Sequence, residues 1–267
     1  MRAKLAAFAL SVVTLPATGQ RAERFMRDCE DSDYDRRREL FCEVREISVR
    51  APQRGLSVDG RENGGVSFYG WDRNEVLVRA MIRTRADSRE DARDLARQIE
   101  IAVTGETIHA NGPTSRRRDD SDWSVSYEVM VPRRIDLSAR THNGGISVED
   151  VEGRMDFDAE NGGISVRGAG GSVNAHTTNG GVSARLDGAS WKGDRLDLTT
   201  TNGGVVLEIP RGYNAEFETG TVNGRMNIDF PVTIQGRIGR RITTTLGRGG
   251  PLVRAVTTNG AVRIRVR

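Results

Sequence analysis

Four copies of Asn-Gly-Gly followed by Ile or Val constrain what this chain can fold into: Asn143-Gly144-Gly145-Ile146, Asn161-Gly162-Gly163-Ile164, Asn179-Gly180-Gly181-Val182 and Asn202-Gly203-Gly204-Val205. The first three asparagines are 18 residues apart and the fourth follows after 23. Each triplet stands between two segments of alternating polarity. Asn63-Gly64-Gly65-Val66 anticipates the pattern, and Asn223-Gly224 and Asn259-Gly260 carry it toward the C-terminus. Such a period marks a repeat architecture, in which one copy buries its apolar face only by stacking on the next.

Residues two apart in a strand share a face, so a buried face reads as alternation. A shift of 18 sets Leu137 over Met155 and Val173, Ala139 over Phe157 and Ala175, and Ile146 over Ile164 and Val182. A shift of 21 sets Leu196 over Phe217, Val205 over Met226 and Ile209 over Phe230. This column identity predicts an all-β chain, a parallel β-solenoid of coils of about 18–23 residues with backbones ~4.8 Å apart. The corners are expected to use positive φ, and the asparagines to point inward as an amide ladder of Asn63, Asn143, Asn161, Asn179, Asn202, Asn223 and Asn259. Successive β-hairpins compete, because Asn-Gly between alternating strands is also a hairpin signal. Register does not separate the two; column identity favours the stack.

Residues 1–19 read as a secretory signal: Arg2 and Lys4, an apolar stretch from Leu5 to Leu15, then the small-residue site Ala17-Thr18-Gly19. Removing Arg2 and Lys4 lowers the formal charge from +3 to +1. A balance this close to neutral argues against a nucleic-acid binder. The apolar stretch is too short to span a bilayer and no second one follows, so no integral membrane segment is expected in the mature chain. Residues 20–43 hold both cysteines, Cys29 and Cys42, which an exported chain is expected to join as a disulfide. Residues 44–267 are expected to form the solenoid domain.

Within that domain, 75–132 interrupts the rhythm. Val76 to Ile82 alternates as a strand, and Asp87 or Ser88 caps a short helix with Glu90 and Asp91 in its first turn. A strand over Ile101 to Ile108 and another over Trp123 to Val131 follow. This strand-helix-strand insert is expected to cap the first coil. At the other end Val262, Ile264 and Val266 complete a last coil, whose edge is expected to be open.

Gly70-Trp71-Asp72, the Ala-rich helix, the Tyr127-x-x-x-Val131-Pro132 strand end and the serial Thr-x-Asn-Gly-Gly-[Ile/Val] coils resemble the bacterial "putative adhesin" family, a domain of unknown function with β-strand repeats. The resemblance runs from about Val44 to the end. It implies a β-solenoid envelope protein and supplies no catalytic residues.

No nucleophile elbow, zinc-binding His-Glu-x-x-His or phosphate loop occurs. The best constellation for acid-base chemistry is Asp156, Asp158 and His176, brought together by the 18-residue shift. A solvated sheet face explains the same residues more simply. The reading is therefore a non-enzymatic, adhesin-like surface or scaffold module of the cell envelope, without cofactor, binding an envelope protein or glycan in the periplasm or outside the cell. The alternatives are a polysaccharide-acting β-helix enzyme using those three residues, and an envelope-stress sensor pairing a partner through the C-terminal edge. Oligomeric state is not readable.

Overall fold

The computed structural model describes residues 25–27, 29, 38–113, 121–229 and 240–267. The expected signal and the Phe230 position lie outside them. The described residues are mostly β-strand, in two sheets of ten strands each. One sheet runs Glu39–Arg50, Glu75–Ala86, Asp122–Pro132, Val66–Trp71, Ile146–Glu149, Ile164–Arg167, Val182–Arg185, Val205–Ile209, Val262–Val266, Met226–Ile228. The other runs Arg241–Leu246, Ala215–Asn223, Leu252–Asn259, Arg195–Asn202, Gly170–Asn179, Glu152–Ala159, Leu137–Thr141, Leu56–Asp59, Thr107–Asn111, Glu100–Thr104.

The strands on either side of each Asn-Gly-Gly corner lie in different sheets, so these corners are not hairpins. Leu137–Thr141 pairs in parallel with Glu152–Ala159, which pairs in parallel with Gly170–Asn179. In the facing sheet Ile146, Ile164 and Val182 are consecutive parallel partners. Their side chains and those of Met155, Phe157 and Val173 are buried between the sheets. Phe68 and Phe157, from opposite sheets, stack with ring centroids 5.9 Å apart. The longer spacing between Asn179 and Asn202 accommodates Trp191, which is buried and donates its indole N–H to the Gly171 carbonyl at 2.8 Å.

The corner differs from expectation in two respects. None of the ladder asparagines or their glycines has positive φ; the only non-glycine residues that do are, among the described residues, Arg61 and Asp150. The first glycine is required instead by close approach. A Cβ on Gly162 would lie 2.0 Å from the Gly144 carbonyl oxygen, and one on Gly180 would lie 2.1 Å from that of Gly162. The asparagines are exposed, so their amides bond one another along the outside of the corner and not in the core.

The first coil is out of phase with its successors because it carries one extra residue. Gly60 N–H donates to the Arg140 carbonyl, and His142 N–H to that of Arg61. Arg61, with φ 53°, thus bulges out of the ladder before Asn63 regains its place beside Asn143. A bulge of this kind inserts a residue while preserving the register beyond it.

The 21-residue stacking at the C-terminal end is overturned. Leu196 pairs with Val253, and Val253 with Phe217. Likewise Val205 pairs with Val262, and Val262 with Met226. The last coil therefore lies between two earlier ones, and Val262–Val266 has neighbours on both sides and is not an edge. The physical reason is the corner, which Asn259-Gly260-Ala261 fits as well as Asn223-Gly224-Arg225 does. Among the described residues the edges at this end are Met226–Ile228 and Arg241–Leu246, the latter antiparallel to Ala215–Asn223.

At the N-terminal end Glu39–Arg50, Glu75–Ala86 and Asp122–Pro132 are antiparallel neighbours. The expected strand from Ile101 to Ile108 is two strands, Glu100–Thr104 and Thr107–Asn111, turning at Gly105 with φ 62°. The helix Arg89–Arg97 is capped by Ser88, whose hydroxyl accepts from Asp91 N–H at 3.1 Å. Its C-terminal end is held by Arg45, whose guanidinium donates to the carbonyls of Ala96, at 2.9 Å, and Ile99. A cation at that end complements the helix dipole. The Cys29–Cys42 disulfide ties the preceding segment to the edge strand.

Candidate interaction surface

Three outward features distinguish the stack. The first is the amide ladder along the corner. Asn143 donates to Asn63 and Asn161 to Asn143, each at 3.1 Å; Asn179 donates to Asn161 and Asn202 to Asn179, each at 2.9 Å. Asn259 then donates to Asn202, and Asn223 to Asn259, each at 2.8 Å. Behind the rungs, Thr177, Thr200, Thr257 and Thr221 donate their hydroxyls to carbonyls of the corner glycines of adjacent coils.

The second is the outer face of the sheet after the corner. Ser67, Ser147, Ser165 and Ser183 form one column, with the Ser147 hydroxyl donating to that of Ser67 at 2.8 Å. Beside it run Tyr69, Glu149, Arg167, Arg185, Glu208 and Arg265. This face is polar, mixed in charge and built on regular strands.

The third is the outer face of the opposite sheet, which holds the acid-base candidates. Asp156 and Asp158 stand beside Asn174 and His176, as the 18-residue shift places them. Asn174 donates its amide to Asp156 at 2.9 Å, and His176 Nδ1 lies 3.0 Å from the Thr199 hydroxyl. Two of the three candidates are therefore engaged by cross-strand partners on an open sheet. Further along, Asp197 contacts Arg195 and Arg254, and Glu218 contacts Arg254 and Arg241. Partial burial works against the charge of Arg254, but Asp197 and Glu218 outweigh it and hold the guanidinium proton more tightly than usual.

His142 Nδ1 lies 2.5 Å from Glu160 beside the corner, and His109 pairs opposite Asp59 and Ala102, so the three histidines are dispersed. Among the described residues no group of three or more His, Cys, Asp or Glu side chains is placed to hold a metal ion. Nor is any described helix long and apolar enough to cross a membrane.

The sequence reading missed two features at the start of the ladder. Clefts of about 380 and 490 Å³ flank Asn63 and Trp123, the second lined also by Arg61, Glu62 and Asn111. They arise where the bulged first coil meets the insert, and repeat periodicity carries no signal for them. The Gly70-Trp71-Asp72 motif is a corner clamp: a Cβ on Gly70 would lie 1.9 Å from the Asp150 carbonyl oxygen, and Asp72 accepts from Arg133 at 2.8 Å. That hydrogen bond and the adjacent charge hold the Asp72 carboxyl below the usual range.

The family model described as Toastrack DUF4097 matches residues 96–265. No curated protein matches the sequence. Among solved structures, a "putative cell adhesion protein" from Clostridium sporogenes is similar at 9% identity, over 86% of this chain and 100% of its own, with a TM-score of 0.42. A "putative adhesin" from Parabacteroides distasonis is similar at 9% identity, over 84% and 97%, with a TM-score of 0.34. A "putative lipid binding protein" from the same species is similar at 10% identity, over 85% and 96%, with a TM-score of 0.26. With well over half of its length matched by the family model, the chain belongs to the Toastrack DUF4097 family.

Proposed function

We propose that this chain is an exported, non-enzymatic β-solenoid, residues 44–267 with 75–132 inserted, which serves the bacterial cell envelope as an adhesin-like surface or scaffold module. The observation that carries the reading is the form of its outer faces. They are regular, polar sheet surfaces, on which Asp156 and His176 are bonded to Asn174 and Thr199. Groups so engaged suit a binding surface better than proton transfer, which needs a titratable group free to reach a substrate. The Cys29–Cys42 disulfide supports an oxidising compartment, the periplasm or the outside of the cell. The outer column of Ser147, Ser165 and Ser183 beside Arg167 and Arg185 suits hydrogen bonding to a glycan or an envelope protein.

The test is retention of the chain from Gln20 on peptidoglycan, lipopolysaccharide, anionic lipid vesicles and membrane-protein extract. Retention on one of these, lost in a Ser165→Ala/Arg167→Ala variant that still folds, supports the surface module. Turnover of a polysaccharide that Asp158→Asn abolishes would replace it with the enzyme.

A further inference from the structure

We propose that Asn223 is a site of spontaneous deamidation, converted to aspartate and isoaspartate in the folded chain faster than the six other ladder amides. The chemistry needs only the next residue and water. The backbone nitrogen of Gly224 attacks Cγ of Asn223, the side-chain nitrogen leaves as ammonia, and a five-membered succinimide closes. Water then adds to one of the two imide carbonyls and breaks that C–N bond, which leaves either aspartate or isoaspartate. Glycine favours the attack because it has no side chain to obstruct it.

All seven ladder asparagines precede glycine, so sequence alone does not separate them. Their neighbours do. Asn143, Asn161, Asn179, Asn202 and Asn259 each donate to one rung and accept from another, and turning the amide toward its own backbone breaks both bonds. The attacking nitrogen is also engaged at three corners: Gly180, Gly203 and Gly260 donate to the carbonyls of Asn202, Asn259 and Asn223. At the first rung Gly64, the attacking residue, is buried, whereas Gly224 is exposed even though both lie hard against a neighbouring carbonyl oxygen.

Asn223 has the least of this protection. It makes one ladder bond, to Asn259, and its Oδ1 accepts nothing among the described residues. Gly224 N–H has no backbone acceptor among them. Val222, Asn223, Gly224 and Arg225 are all exposed, beside Met226–Ile228, the outermost strand of its sheet among the described residues. Local opening is easiest at such an end. Conversion puts a carboxylate oxygen where Nδ2 donated to Asn259. The final rung is lost and the exposed end of the stack gains a negative charge.

The experiment incubates the intact folded chain at mildly alkaline pH, which favours loss of the attacking proton, in heavy-oxygen water and beside a sample held in denaturant. Tryptic peptides are then read by mass, the Asn223 site falling in residues 212–225. The folded chain is expected to convert Asn223 about fivefold or more faster than any inner rung, which must break one further ladder bond. Asn111-Gly112, outside the ladder and exposed at both residues, gauges an unladdered amide in the same fold. In denaturant all the sites should react alike, and Asn223→Gln should silence the 212–225 signal alone. Conversion of Asn161 or Asn179 in the folded chain as fast as Asn223 would overturn the proposal, as would no conversion at Asn223 while the unfolded chain reacts.

Discussion

The side-chain amide of Asn259 donates to that of Asn202 at 2.8 Å across 57 residues of sequence, and accepts in turn from Asn223. The asparagine nearest the C-terminus is thus an inner rung, and the end rungs are Asn63 and Asn223. Each ladder bond contributes about 1 kcal/mol at most, less where water competes. Asn161→Ala and Asn259→Ala should therefore destabilise by similar amounts, and each by about twice as much as Asn223→Ala. Urea denaturation midpoints at constant slope measure this. A midpoint for Asn259→Ala close to that of Asn223→Ala would place the last coil at the end after all.

The two glycines of one corner should differ sharply. A Cβ on Gly162 would lie 2.0 Å from the Gly144 carbonyl oxygen, whereas one on Gly163 would lie 3.1 Å from that of Gly181. The first contact is backbone on backbone and can be relieved only by spreading two coils. The second needs a few tenths of an ångström, and the chain itself carries Ala261 and Arg225 at the equivalent place. Gly162→Ala should cost about 3 kcal/mol or more, and Gly163→Ala about 1 kcal/mol or less. Thermal melts of the two variants check the contrast.

The repeat made the strands and their neighbours legible between Leu137 and Ile209, because there each coil follows the last in both sequence and space. Legibility ended where those orders part. Val262 resembles Val205 and Met226 equally well, so alternation does not reveal that it lies between them. Arg61 escaped for a related reason: a bulge appears in sequence only as a lost phase. The candidate site fared similarly. The juxtaposition of Asp156, Asp158 and His176 follows from the period, but their bonds to Asn174 and Thr199, and the clefts beside Trp123, depend on side-chain directions that no period encodes.

Arg45 joins the edge strand to the helix. Its guanidinium reaches the carbonyls of Ala96 and Ile99 and also contacts Glu43 at 2.9 Å. Arg45→Met keeps the apolar stem while removing the donors and the charge at the helix C-terminus. A loss of about 1–2 kcal/mol is expected. Amide exchange should accelerate in Arg89–Arg97 before it does in the coils, and uniform acceleration would count against a local role.

Replacing both Cys29 and Cys42 by serine removes a link between residues 13 apart. The chain-entropy model assigns a loop of this length about 3 kcal/mol. The loss should appear as a lower urea midpoint together with faster proteolysis ahead of Glu39. An unchanged midpoint would mean that the tethered segment contributes nothing to the stability of the sheets.

Alkaline pH should unfold the chain through two tyrosines. The hydroxyls of Tyr127 and Tyr213 are buried and find no hydrogen-bond partner among the described residues. Burial, and to a lesser degree Asp59 near Tyr127 and Asp187 near Tyr213, raises both phenols well above their ordinary range. In the unfolded chain they ionise near pH ~10. Above that pH the unfolded state binds fewer protons than the folded one, so stability falls as pH rises toward the folded values and is fully retained below ~10. Tyr127→Phe and Tyr213→Phe should each flatten that decline. Near neutral pH each should be neutral or slightly stabilising, since the hydroxyl removed is a buried group without a partner. Urea midpoints across the alkaline range, for the native chain and both variants, measure the slope. A decline as steep in the double variant as in the native chain would assign the alkaline loss to other groups.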